Sequence, residues 1–71
     1  MSPAQCRAAR ALLNIGREDL AKLSGVSERA IANFEMERTR FIRSNLEAVL
    51  RTLERLGIEF TEDDGVKRRR D

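Results

Sequence analysis

The run Arg17-Glu18-Asp19-Leu20-Ala21-Lys22-Leu23-Ser24-Gly25-Val26-Ser27-Glu28-Arg29-Ala30-Ile31-Ala32-Asn33-Phe34-Glu35-Met36 decides the fold. It reads as two short amphipathic helices separated by a glycine turn. In the first, about 17–24, Glu18 and Asp19 lie in the opening turn, where the helix dipole favours anions, and Leu20, Ala21 and Leu23 form the apolar side. Gly25 ends it, because glycine adopts positive φ at little cost. Val26 and Ser27 connect, and Ser27 caps a second helix at about 28–36. Its inward set is Ala30, Ile31 and Phe34, with Glu28, Arg29, Ala32 and Asn33 opposite. The small Ala21 lets the second helix cross closely, and the apolar residues fix a near-perpendicular crossing. This is a helix-turn-helix arrangement.

Working outward, Ser2-Pro3-Ala4-Gln5 opens an earlier helix with a capping box and a proline at the first helical position. Cys6, Ala9, Leu12 and Leu13 recur at helical spacing until Asn14-Ile15-Gly16 breaks the helix, which therefore covers about 3–13. Downstream, 37–43 is a basic loop whose Phe41 and Ile42 are expected to tuck against the core. Ser44-Asn45-Leu46-Glu47 reads as another capping box, before the amphipathic stripe Leu46, Val49, Leu50, Leu53 and Leu56. Gly57 stops that helix. Ile58-Glu59-Phe60-Thr61 then alternates like a strand, Asp63-Asp64-Gly65 signals a turn, and Val66 to Arg70 returns as a second short strand. A lone hairpin is marginal in water, so this one must pack on the helices, pair with another chain, or fray.

Composition narrows the function classes. The chain has 71 residues, 14 Lys and Arg, 12 Asp and Glu, one Cys and no His. That length allows one small domain. A lone Cys closes no internal disulfide, and a zinc site would rest almost wholly on carboxylates, a poor match to zinc. No apolar run approaches the roughly 20 residues that span a bilayer, and Met1 to Arg7 has no signal-peptide core. General acid–base work most often uses His, Glu62-Asp63-Asp64 lacks a metal-loop pattern, and no glycine-rich phosphate loop exists, so no catalytic residues, metal or cofactor are expected. The net charge of +2 is weak evidence for nucleic acid by itself, but Arg38, Arg40 and Arg43 occur with no acid between them. Cys6 occupies an inner helical position and is expected to act as a small core hydrophobe.

The runs Ala8 to Leu13, Leu20-Ala21-Lys22-Leu23-Ser24-Gly25-Val26-Ser27 and Ile31-Ala32-Asn33-Phe34-Glu35 resemble the phage repressor/Cro-type (Xre-family) helix-turn-helix regulators over about residues 5–56. The resemblance implies an all-α, four-helix, lambda repressor-like DNA-binding domain over 1–57. Its helix-turn-helix spans about 17–36, and a C-terminal strand or hairpin at 58–71 is a possible dimerisation element. It implies that Ser27, Glu28, Arg29 and Asn33 reach base edges, and that Arg17, Arg38, Arg40 and Arg43 meet backbone phosphates. It also implies that Arg10 and Glu35 form a structural ion pair. Met36-Glu37-Arg38 departs from relatives, which often carry glycine shortly after the Glu35 position, so the recognition helix either runs longer or leaves by a different loop. The side-chain chemistry agrees. Arg29 suits guanine, Asn33 adenine and Glu28 cytosine N4, although an exposed polar helix face would look the same by composition.

The expected function is a sequence-specific double-stranded DNA-binding transcriptional regulator. It would act as a homodimer on a pseudo-palindromic operator in the cytoplasm, at the nucleoid of a prokaryote or in a phage or mobile element, with no membrane and no small-molecule ligand. The alternative is a protein-binding antitoxin or antiactivator on the same scaffold, since fold alone does not fix function.

Overall fold

Helix α1 (Pro3–Leu13) starts where the sequence puts it. The Ser2 hydroxyl accepts the Gln5 N–H at 3.1 Å, and the Gln5 side-chain oxygen accepts the Ser2 N–H at 2.9 Å. The rest of the computed structural model, which describes residues 1–69, follows as α2 (Arg17–Ser24), α3 (Glu28–Glu35), α4 (Arg43–Arg55), β1 (Ile58–Phe60) and β2 (Val66–Arg68). The two strands pair antiparallel, with Ile58 opposite Arg68 and Phe60 opposite Val66. The expected extension of the second strand to Arg70 falls outside the described residues.

Every helix and β1 contributes to one core: Cys6 and Ala9 from α1, Leu20 from α2, Ile31 and Phe34 from α3, Val49 and Leu53 from α4, and Ile58 from β1. Val26 plugs the α2–α3 turn into the same cluster. The hairpin therefore belongs to the unit the helices build, with β2 against α1 and β1 against α4. Gln5 fastens it. Its side-chain amide donates to the carbonyls of Thr61 (3.3 Å) and Gly65 (3.0 Å) while its oxygen caps α1.

The α2–α3 turn follows the expected chemistry. Gly25 adopts φ 77° and its N–H reaches the Ala21 carbonyl at 2.9 Å. The Ser27 hydroxyl accepts the Ala30 N–H at 3.1 Å. At its far end α3 stops at Glu35 and does not run a turn longer. The Arg38 N–H bonds to the Asn33 carbonyl (2.8 Å) and the Glu37 N–H to the Phe34 carbonyl (3.0 Å), which is a Schellman closure. Glu37 occupies its left-handed position at φ 61°, which suits glycine and costs other residues about 1–2 kcal/mol. Glu37→Gly removes that strain but loosens the unfolded chain, so a net gain of about 0.5–1 kcal/mol is expected. Thermal melting should move up by roughly 2–8 °C, and a fall would show that the Glu37 side chain contributes more than its backbone costs.

Three expectations fail here. Ile42 does not tuck into the core but is 66% exposed. Phe41 is the anchor, stacked on Phe34 with ring centroids 4.0 Å apart, and the extended backbone at Ile42 turns the next side chain outward. Helix α4 begins at Arg43 with Ile42 at its N-cap, so Ser44 lies inside the first turn and caps nothing. Leu23 is 51% exposed, because the buried side of α2 is centred on Leu20, with Ala21 and Ser24 half-buried, and Leu23 falls off its edge. No helix among the described residues is long and apolar enough to cross a membrane.

Candidate functional site

The structure sorts the arginines from Arg7 to Arg43 into two groups. One is gathered on Glu35, whose side chain is fully buried. Arg10, from α1, donates Nε to Glu35 Oε2 at 2.7 Å and Nη2 to Oε1 at 2.6 Å, a bidentate pair. Arg17, the first residue of α2, donates Nε to the same Oε1 at 2.8 Å. Arg7 reaches the Glu35 backbone carbonyl through Nη1 and so helps cap the end of α3. One carboxylate therefore ties α1 and α2 to the C-terminal turn of α3.

The electrostatics follow from that arrangement. Burial pushes the Glu35 carboxyl up, but hydrogen bonds from Arg10, Arg17 and Cys6 outweigh it and hold the group below its ordinary value. The hydrogen bond to Glu35 outweighs burial and raises Arg10. Burial, then the neighbouring Glu35, pushes the Cys6 thiol up to about 12, so it stays protonated and unreactive as a packed core group.

The other group is open. Ser27, Glu28 and Arg29 are exposed at the start of α3, and Asn33 is half-buried one turn on. The Asn33 carbonyl takes the N–H of Arg38 and also that of Thr39, at 3.3 Å, so the arginine loop begins beside Asn33. Arg38, Arg40 and Arg43 are all exposed. Among the described residues the ion pairs are Arg10–Glu35, Arg17–Glu35 and Lys22–Glu18, so Glu28, Arg29 and the three loop arginines are unpaired.

The expected ion pair of Arg10 with Glu35 is thus present. Arg17, expected to meet a backbone phosphate, is 29% exposed, with its Nε bound to Glu35. The buried carboxylate is a strong acceptor within reach of the start of α2, and that draws the guanidinium inward. Sequence reasoning missed Arg7, although it lies three residues before Arg10 and hence on the same helix face. It also missed the reach of Gln5 to the hairpin, for which no local signal exists. Among the described residues no group of three or more His, Cys, Asp or Glu is placed to hold a metal.

Fold and site together define a four-helix domain closed by a β-hairpin, with one arginine cluster locked on a buried glutamate and another open around α3. No protein-family model matches the chain, and no curated protein matches it.

Proposed function

We propose that the chain is a sequence-specific double-stranded DNA-binding transcriptional regulator of the phage repressor/Cro type, working as a homodimer on a pseudo-palindromic operator. In this reading α2 and α3 are the helix-turn-helix of a lambda repressor-like domain, and α3 enters the major groove. The observation that carries it is the contrast between the two arginine groups. Arg10 and Arg17 are held by Glu35, whereas Arg29, Arg38, Arg40 and Arg43 stay exposed along α3 and the loop after it, with no carboxylate partner among the described residues. Exposed cations without acidic partners suit a polyanion. Arg29, Asn33 and Glu28 supply donors and an acceptor for base edges, Ser27 a hydroxyl for either base or phosphate, and the loop arginines supply affinity without sequence information. Arg17 keeps one face towards Glu35 and offers its outer nitrogens to a phosphate.

Dimeric helix-turn-helix proteins place their recognition helices about 34 Å apart, one duplex turn, and that is the spacing this reading requires of the two α3 helices. Regulation then follows from occupying DNA that a polymerase needs, in the cytoplasm at the nucleoid.

Selection of bound duplexes from a random pool, followed by electrophoretic shifts at several salt concentrations, tests the reading. Enrichment of a two-fold symmetric site and a steep salt dependence are expected. No enrichment, and no binding even at low salt, would sink it. That result would favour the antitoxin or antiactivator reading, which has its own support in Met36 and Ile42, exposed apolar side chains on either side of the arginine loop.

A further inference from the structure

The C-terminal hairpin is polarised in charge. Its tip holds Glu62, Asp63 and Asp64, all exposed. Within the tip the Thr61 hydroxyl donates to the Asp63 carboxylate, which lies below its ordinary value chiefly through that bond. The Asp63 carboxylate is therefore ionised at neutral pH. The base of the hairpin has the opposite sign. Arg69 closes it through a 2.7 Å bond from its N–H to the Gly57 carbonyl, and its Nη2 donates to the Glu54 carbonyl at 3.2 Å, which fixes the guanidinium beside α4. There Arg51, Arg55 and Arg69 line an open cleft of about 600 Å³, floored by Ser24 and Thr52. Glu54 is the one acidic residue on its rim. None of the three arginines has a carboxylate partner among the described residues.

The tip of a hairpin cannot fill its own base. Asp63 lies six positions beyond Gly57, roughly 20 Å of extended chain. A second copy has no such restriction. When two hairpins lie antiparallel about a two-fold axis, the tip of each meets the base of the other, and one contact is made twice. We propose that the arginine cleft at the base of the hairpin receives the Glu62-Asp63-Asp64 tip of a second copy of this chain, forming a reciprocal two-fold dimer. The occupant follows from charge and form: three exposed acids on a tight turn against three unpaired arginines in an open cleft. Leu56, 37% exposed next to Gly57, adds apolar surface at the same place. The inference deepens the homodimer reading above and rests on it. It places dimerisation on α4, the hairpin and the end of α2, and no residue lining the cleft belongs to α3 or the arginine loop.

A charge-swap experiment tests it. In one variant the tip is reversed (Glu62→Lys with Asp64→Lys), and in the other the cleft (Arg51→Glu with Arg55→Glu); Arg69 and Asp63 are kept because they hold the hairpin and its turn. Sedimentation equilibrium should show wild-type dimers whose Kd rises about tenfold or more between 20 and 500 mM salt, since paired surface charges are screened over that range. Each variant alone should be monomeric, with an unchanged circular dichroism spectrum, because like charges then face each other. The equimolar mixture should recover dimers, since each tip again meets a cleft of opposite sign. Variants that self-associate as the wild type does, or a mixture that stays monomeric, would overturn the assigned contact while leaving the dimer itself standing. A wild type that is monomeric at every concentration overturns both. Should either variant fail to fold, a wild-type Kd indifferent to salt still overturns the contact.

Discussion

Glu35→Ala should lower the melting temperature by roughly 12–24 °C. The change removes the carboxylate that Arg10 and Arg17 share and leaves both guanidinium groups partly buried without that counter-charge. Breaking a buried ion pair from one side costs about 3–5 kcal/mol. Both arginines retain some solvent contact, which favours the low end, about 3 kcal/mol. At 4–8 °C per kcal/mol for a domain of this size, the stated shift follows. A chain of 71 residues has roughly 4–10 kcal/mol of stability in total, so one residue removes a third or more of it. Differential scanning calorimetry measures this directly, and a shift below about 4 °C would show that the three-helix junction does not depend on the carboxylate. The double variant Arg10→Met with Glu35→Leu should recover part of the loss, because the more buried of the two guanidinium groups goes with the carboxylate while Arg17 still lacks its partner.

The same residue sets an acid limit. The folded protein holds the Glu35 carboxyl below its ordinary value of 4.5, and the unfolded chain does not. Its stabilisation is therefore complete above about pH 4.5 and declines as pH falls towards the folded value. Glu35→Gln removes the titrating group. The difference in melting temperature between wild type and this variant should be constant near neutrality and shrink below about pH 4.5. A constant difference down to pH 3 would contradict the depressed carboxyl.

The element ends were legible because they depend on local chemistry. Ser2 with Gln5, Gly25 with Ser27, and Gly57 each satisfy helix-end groups within three residues, and the structure uses all of them. The failures share a different cause. Ser44 and Glu47 carry a capping-box pattern, yet α4 starts before Ser44 because Phe41 stacks on Phe34, a contact made through the tertiary fold. The outward turn of Ile42 follows from that anchor. Helix periodicity put Leu23 on the apolar side of α2, but an eight-residue helix buries only a narrow face, and neighbouring elements choose its centre. Thr52 is buried in the stripe of α4 although it is polar, because its hydroxyl is satisfied by the Ala48 carbonyl at 2.8 Å. In the site, types and positions of the exposed residues were readable, since α3 keeps its periodicity. The partnership of Arg17 with Glu35 was not, because residues 18 apart in sequence meet only after α2 and α3 have crossed.

If α3 reads DNA as proposed, its residues and those of the loop should fail in different ways. Arg29→Ala removes a fork of donors suited to guanine O6 and N7, and Asn33→Ala an amide suited to adenine N6 and N7. Each pair contributes about 1–3 kcal/mol of discrimination, so each substitution should weaken the selected site by roughly 5- to 150-fold and leave random DNA nearly unaffected. The two positions are one helical turn apart, so the double variant should approach the non-specific affinity at about 10²- to 10⁴-fold. Arg43→Ala acts otherwise. Its side chain is exposed at the first turn of α4, has no carboxylate partner among the described residues, and follows a loop with two further arginines. It should weaken selected and random duplexes by the same factor and reduce the slope of log K against log salt by about one. Fluorescence anisotropy on both duplexes at four salt concentrations separates the cases. Equal losses on both duplexes from Arg29→Ala would remove α3 from base reading. A specific loss from Arg43→Ala would move base reading into the loop. Either result would require a docking in which the exposed face of α3 is not the one turned to the base pairs.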